Sequence, residues 1–133
     1  MLHHISFGVA DLSRSASFYD ATLAALGFVR VWVHETAVGY GLPGGGDKLA
    51  IKLAAGTHPP GPGFHLALAA PSREAVVAFH AAALAHGGRD NGAPGLRPHY
   101  GANYFAAFVV DPDGHRVEAV INVPISSSPT GGA

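Results

Sequence analysis

His4-Ile5-Ser6-Phe7-Gly8-Val9 near the start of the chain is answered 61 residues later by His65-Leu66-Ala67-Leu68-Ala69-Ala70. The match continues, with Phe18 falling on Phe79, Leu23 on Leu84 and Gly27 on Gly88. Each half reads as a strand opened by a histidine, then a helix carrying a phenylalanine, then a glycine stop. A repeat that superposes a metal-competent residue along with the apolar ones implies two copies of one structural unit. Equivalent strands in the two copies would bring those two imidazoles toward one another.

Working outward from that stretch, Ile5, Phe7 and Val9 alternate with His4, Ser6 and Gly8, the period of a half-buried strand. Asp11 or Ser13 can cap the next helix, which presents Ala16, Phe18, Tyr19, Leu23 and Leu26 before Gly27 ends it. Residues 28–34, 36–42 and 49–54 read as strands, the last following the turn at Gly44-Gly45-Gly46-Asp47. Pro- and Gly-rich residues then form a linker. The pattern restarts with a strand over 64–70 and a helix capped by Ser72, with Glu74 well placed in its first turn, closing at Gly87-Gly88. Residues 89–103 are expected to hold one short strand and a loop. Residues 104–110 and 115–121 form a hairpin through Asp111-Pro112-Asp113-Gly114. The expected class is α+β, two tandem βαβββ modules in one domain over 1–123. Module one spans 2–55, the linker 56–63 and module two 64–123, with a disordered Ser/Pro/Thr/Gly tail over 124–133.

At 133 residues with 48% hydrophobic content, the chain can build one core without staples. It has no cysteine, so disulfides and thiolate metal sites are excluded, and any metal must use imidazole and carboxylate. Eight basic and nine acidic residues give a net charge of −1 with no basic stripe, which argues against a nucleic-acid partner. No apolar run approaches the roughly 20 residues that span a bilayer, and the first residues lack a signal-peptide build, so a soluble cytoplasmic protein is expected. No serine stands in a nucleophile elbow. The Gly44-Gly45-Gly46 run precedes a strand rather than a helix, so it is no phosphate loop.

With the repeat, the histidines and the hairpin together, the chain resembles the vicinal oxygen chelate superfamily, which includes glyoxalase I, extradiol dioxygenases, fosfomycin-resistance enzymes and bleomycin-resistance proteins. The resemblance covers about residues 2–123. It rests on His4-Ile-Ser-Phe-Gly-Val-Ala-Asp11, on Ser15-Ala-Ser-Phe-Tyr19 and most specifically on Phe108-Val-Val-Asp-Pro-Asp-Gly-His-Arg-Val-Glu118. It implies curved mixed sheets around a metal-binding cavity, with ligands on the first and last strands of each module. Carried over by position, His4, His65 and Glu118 match three ligands. The fourth place is expected at Lys52, by matching Ile51-Lys52 to Val117-Glu118. A protonated lysine cannot ligate, so the four-ligand pattern of glyoxalase I is broken. The His, His, Glu set that is left resembles that of the extradiol dioxygenases and fosfomycin-resistance enzymes.

Two imidazoles and one carboxylate suit one divalent ion, Fe, Mn, Ni or Zn, and leave about three positions for water or substrate. Lys52 either faces solvent or faces the cavity, pairing with Glu118 or an anionic substrate group. Arg97, His99, Tyr100 and Tyr104 flank the loop before the hairpin, resembling a cavity-mouth segment of one subgroup. There they would bind substrate (Arg97, Tyr100) or act as acid or base (Tyr104, His99) beside Glu118. Trp32 is expected in the core or the cavity wall. His3, His58, His80, His86 and His115 look peripheral, His80 and His86 being six apart on a helix and on different faces. Two functions are open: a metal-dependent lyase, isomerase or dioxygenase acting on a small oxygen-rich metabolite, or a metal-free ligand-binding protein of the bleomycin-resistance type. A homodimer, its cavity completed by the second subunit, is expected by analogy.

Overall fold

The computed structural model describes residues 1–125. Two βαβββ halves follow one another: β1 (Ile5–Val9), α1 (Leu12–Ala24), β2 (Val29–Val33), β3 (Ala37–Gly41) and β4 (Leu49–Leu53), then β5 (Leu66–Ala69), α2 (Arg73–Ala85), β6 (Arg89–Leu96), β7 (Tyr104–Val110) and β8 (Arg116–Asn122). Each half makes its own four-stranded mixed sheet, ordered β1-β4-β3-β2 and β5-β8-β7-β6. The first and last strands of each half pair in parallel, and the other pairs are antiparallel. The duplicated sequence is thus a duplicated topology, and the class is α+β. The expected tail from residue 126 onward lies outside the described residues.

Both helices start where a side chain takes over an orphan amide. Asp11 accepts from the Arg14 N–H at 3.0 Å, and Ser72 accepts from the Ala75 N–H at 3.0 Å. Helix α1 buries Phe18, Tyr19 and Leu23, and α2 buries Val76, Phe79 and Ala83. The helices pack on each other and on one face of each sheet, forming one core from both halves. Phe18 and Phe79, paired by the repeat, are both fully buried. Leu23 and Leu84 are not equivalent in this sense: Leu84 is exposed and Ala83 takes the inward position. Just past the end of α2, a Cβ on Gly88 would sit 2.6 Å from the Phe18 ring, so glycine is needed there.

Residues 89–96 form an eight-residue strand, longer than the short one expected, and the expected loop follows over 97–103. It lies at the sheet edge and its register shifts between Asp90 and Gly92 and again between Gly92 and Gly95. Edge placement and bulges are what allow Pro94 and the two glycines in a strand.

The hairpin turn ties the halves together. Asp111 is buried; its carboxylate accepts from the Tyr19 hydroxyl at 2.6 Å, from the backbone N–H of Asp113 and His115, and from His115 Nδ1 at 3.0 Å. Asp113 accepts from the Ala10 N–H, the Arg14 guanidinium and the Ser15 hydroxyl. Gly114, at φ +95°, closes the turn in a conformation that glycine adopts without strain. His115, expected at the periphery, is instead buried inside this network with its ring 4.6 Å from that of Phe7.

Candidate metal centre

Strand alternation divides β8 into core-facing Val117, Ala119 and Ile121 and an opposite face carrying Arg116, Glu118, Val120 and Asn122. Glu118 lies on the helix-free face of its sheet, yet is only 1% exposed. A carboxylate taken out of water this far requires partners, and it has one on each oxygen. Its Oε1 lies 2.9 Å from His65 Nε2, and its Oε2 accepts a hydrogen bond from the Tyr104 hydroxyl. His65 immediately precedes β5, whose Leu66 pairs with Val117, so the imidazole reaches Glu118 along the parallel pair. Its side chain is 49% exposed, leaving one side of the pair open to ligands. Burial, then the hydrogen bond to Glu118 and that group's charge, push the Tyr104 phenol up to about 12. At neutral pH Tyr104 is therefore a proton donor to Glu118 rather than a base.

An aromatic file runs outward from this pair. Tyr100 lies edge-on to Tyr104 at 5.2 Å, and His99 stands over Tyr100 at 4.1 Å. His99 is thus two rings removed from Glu118. Arg97 is held along β6, donating to the carbonyls of Gly95 and Ala93, with its guanidinium over the Phe108 ring. Beside the pair opens a cavity of about 200 Å³ lined by His65, Asn91, Tyr100, Phe108 and Arg116. Asn91, Phe108 and Arg116 were not expected as site residues, although Phe108 and Arg116 lie in the Phe108–Glu118 stretch. The signal for Arg116 was its spacing of two from Glu118 on one strand.

Module one carries the remaining expected residues. Register corrects the position of Lys52. Ser6 pairs with Ala50 just as its repeat equivalent Ala67 pairs with Glu118, so Ala50, not Lys52, occupies the place of the fourth ligand. Lys52 is exposed one position further along the same face, opposite Gly8, and makes no ion pair among the described residues. Trp32 covers the same row, its ring flat against Gly39, where a Cβ would fall 2.2 Å from the indole. His4 is exposed, with its Nδ1 2.8 Å from His3 Nδ1. It does not join His65 and Glu118 within the chain. Among the described residues, the single set of three ligand-type side chains with atoms within 4.8 Å of one another is Asp111, Asp113 and His115.

That set has metal-like spacing but not the open coordination a metal needs. Every oxygen of Asp111 and Asp113 already accepts from protein donors, Arg14 among them. The His65–Glu118 pair fits an ion better. Two ligands each about 2.1 Å from an ion and at right angles lie about 3.0 Å apart, close to the 2.9 Å seen. Neutral imidazole plus one anionic oxygen is a donor set for Fe, Mn, Ni or Zn.

Comparison with known proteins places this architecture. A model of the Glyoxalase/Bleomycin resistance protein/Dioxygenase superfamily matches residues 1–119. The chain belongs to that superfamily. It is similar to a glyoxalase/bleomycin resistance protein from Albidiferax ferrireducens T118, at 34% identity and TM-score 0.76, covering 91% of this chain and 97% of that one. A glyoxalase-related enzyme from Fulvimarina pelagi matches at 25% identity and TM-score 0.72, covering 96% and 93%. A glyoxalase I mutant from Zea mays shares the fold at 24% identity and TM-score 0.66, this chain covering 44% of its length. No curated protein matches.

Proposed function

We propose that the protein is a divalent-metal-dependent enzyme acting on a small oxygen-rich metabolite, with His65 and Glu118 of one chain and His4 of a second chain holding the ion. The observation that supports this most is the buried Glu118 carboxylate, fixed by Tyr104 on one oxygen and meeting His65 on the other. His4 stands at the repeat equivalent of His65 but away from the pair in its own chain. A two-fold dimer in which each subunit lends His4 to the other would complete two identical sites.

The bound ion, Fe, Mn, Ni or Zn, would supply Lewis-acid polarisation of neighbouring substrate oxygens, as a lyase, isomerase or dioxygenase requires. The chain's own groups do the rest. Tyr104 holds Glu118 Oε2 so that Oε1 points at the open side, and retains its proton at neutral pH. Phe108 and Tyr100 offer ring surfaces to an apolar part of the substrate. A second reading, a metal-free binder like the bleomycin-resistance proteins, is favoured by Ala50 at the fourth ligand place and by the two-ligand set within one chain.

Metal content separates the two. Protein purified without chelator is expected to carry about one transition-metal ion per chain, lost in His65→Ala. A metal-free wild type that cannot be loaded with zinc, manganese, nickel or ferrous iron would leave only the binder.

A further inference from the structure

Arg116 has a guanidinium with no hydrogen-bonded or ionic partner among the described residues, beside a buried carboxylate that is already engaged. Strand alternation puts Arg116 on the face of Glu118, two residues or about 6.6 Å along β8. It lines the same cavity as His65, with the Phe108 ring and the Asn91 amide on the other walls. The neighbouring Arg97 is different: both its terminal nitrogens donate to carbonyls, of Gly95 and Ala93. One free, planar, permanently charged fork thus faces a small cleft.

Charge balance sharpens this. A divalent ion with one carboxylate and neutral imidazoles leaves a net positive centre, and a second cation close by is costly unless an anion lies between them. Glu118 cannot be that anion for Arg116, because Tyr104 holds Oε2 and Oε1 is turned to His65, where the ion would sit.

We infer that Arg116 determines specificity by binding a carboxylate on the substrate, so that the ligand of this cavity is an organic acid that also bears chelating oxygens. This deepens the metal-dependent reading and rests on it. The cavity, at about 200 Å³, lies below the roughly 300–1,000 Å³ of drug-sized pockets, which suits a small acid.

Catechol and 3,4-dihydroxybenzoate test it, because they share a vicinal oxygen pair and a ring and differ by one carboxylate. Calorimetry on zinc-loaded wild type is expected to show the acid binding about tenfold tighter, the value of one charge-assisted contact. In Arg116→Gln that preference should fall to about one while catechol affinity changes less than twofold and zinc stoichiometry holds. Arg116→Lys should keep part of the preference. Equal binding of both ligands to wild type, or an undiminished preference in Arg116→Gln, overturns the role of Arg116 and leaves the metal centre standing. Failure of both ligands to bind zinc-loaded protein, or of zinc to bind at all, overturns the chelation reading and this inference with it.

Discussion

Asp111→Ala is expected to lower folding stability by about 3–5 kcal/mol, enough to unfold a marginal domain near physiological temperature. The loss has named parts. The variant leaves the buried Tyr19 hydroxyl, two backbone N–H groups and His115 Nδ1 without their acceptor. Orphaned buried donors each cost about 1–3 kcal/mol. The Tyr19 phenol is held well above its usual range, by burial first and then by the Asp111 charge, so it is a firm donor across the neutral range. Tyr19→Phe removes one partner and should cost about 1–3 kcal/mol. Urea unfolding of the three proteins, with slopes compared, checks the ordering. An Asp111→Ala protein within 1 kcal/mol of wild type would show that the turn does not clamp the halves together.

Glu118→Gln is expected to weaken metal affinity by about 100-fold or more. Removing a group that merely supports a ligand costs about 10–100-fold, and here the anionic ligand itself is neutralised. Glutamine keeps the shape and can still meet Tyr104 and His65, so folding should survive. Tyr104→Phe removes the hydrogen bond to Oε2 alone and should fall within the 10–100-fold range. Competition with a zinc indicator dye reads both. Equal affinity in wild type and Glu118→Gln would exclude this carboxylate as a ligand.

Much of the fold was legible because the repeat superposes whole elements, and because caps and turns carry local signals at Asp11, Ser72 and Asp111-Pro-Asp-Gly114. The full length of the edge strand at 89–96 was not, since Gly92, Pro94 and Gly95 break the alternation that marks a strand, and bulges absorb them. Lys52 was misaligned for a related reason. The stretch between parallel partners is longer in module two, so matching Ile-Lys to Val-Glu by residue type slips the register by two. His115 reads as a surface residue just past a turn, yet Asp111 four residues earlier was the available sign of a buried pair. Of the candidate site, His65, Glu118 and Tyr104 were foreseen and meet. In the proposed dimer His4 would join them from a second chain, and a pattern within one chain does not specify such a pairing.

The proposed sharing of His4 between subunits is most directly tested by mixing them. His4→Ala and Glu118→Gln chains, each carrying a different tag, are co-expressed and the doubly tagged hybrid is isolated. Shared sites predict that each variant alone holds little metal, while the hybrid holds one ion per dimer, at the site joining the intact His4 of one chain to the intact His65 and Glu118 of the other. A hybrid as empty as its parents, or a His4→Ala protein that binds metal like wild type, would contradict the account.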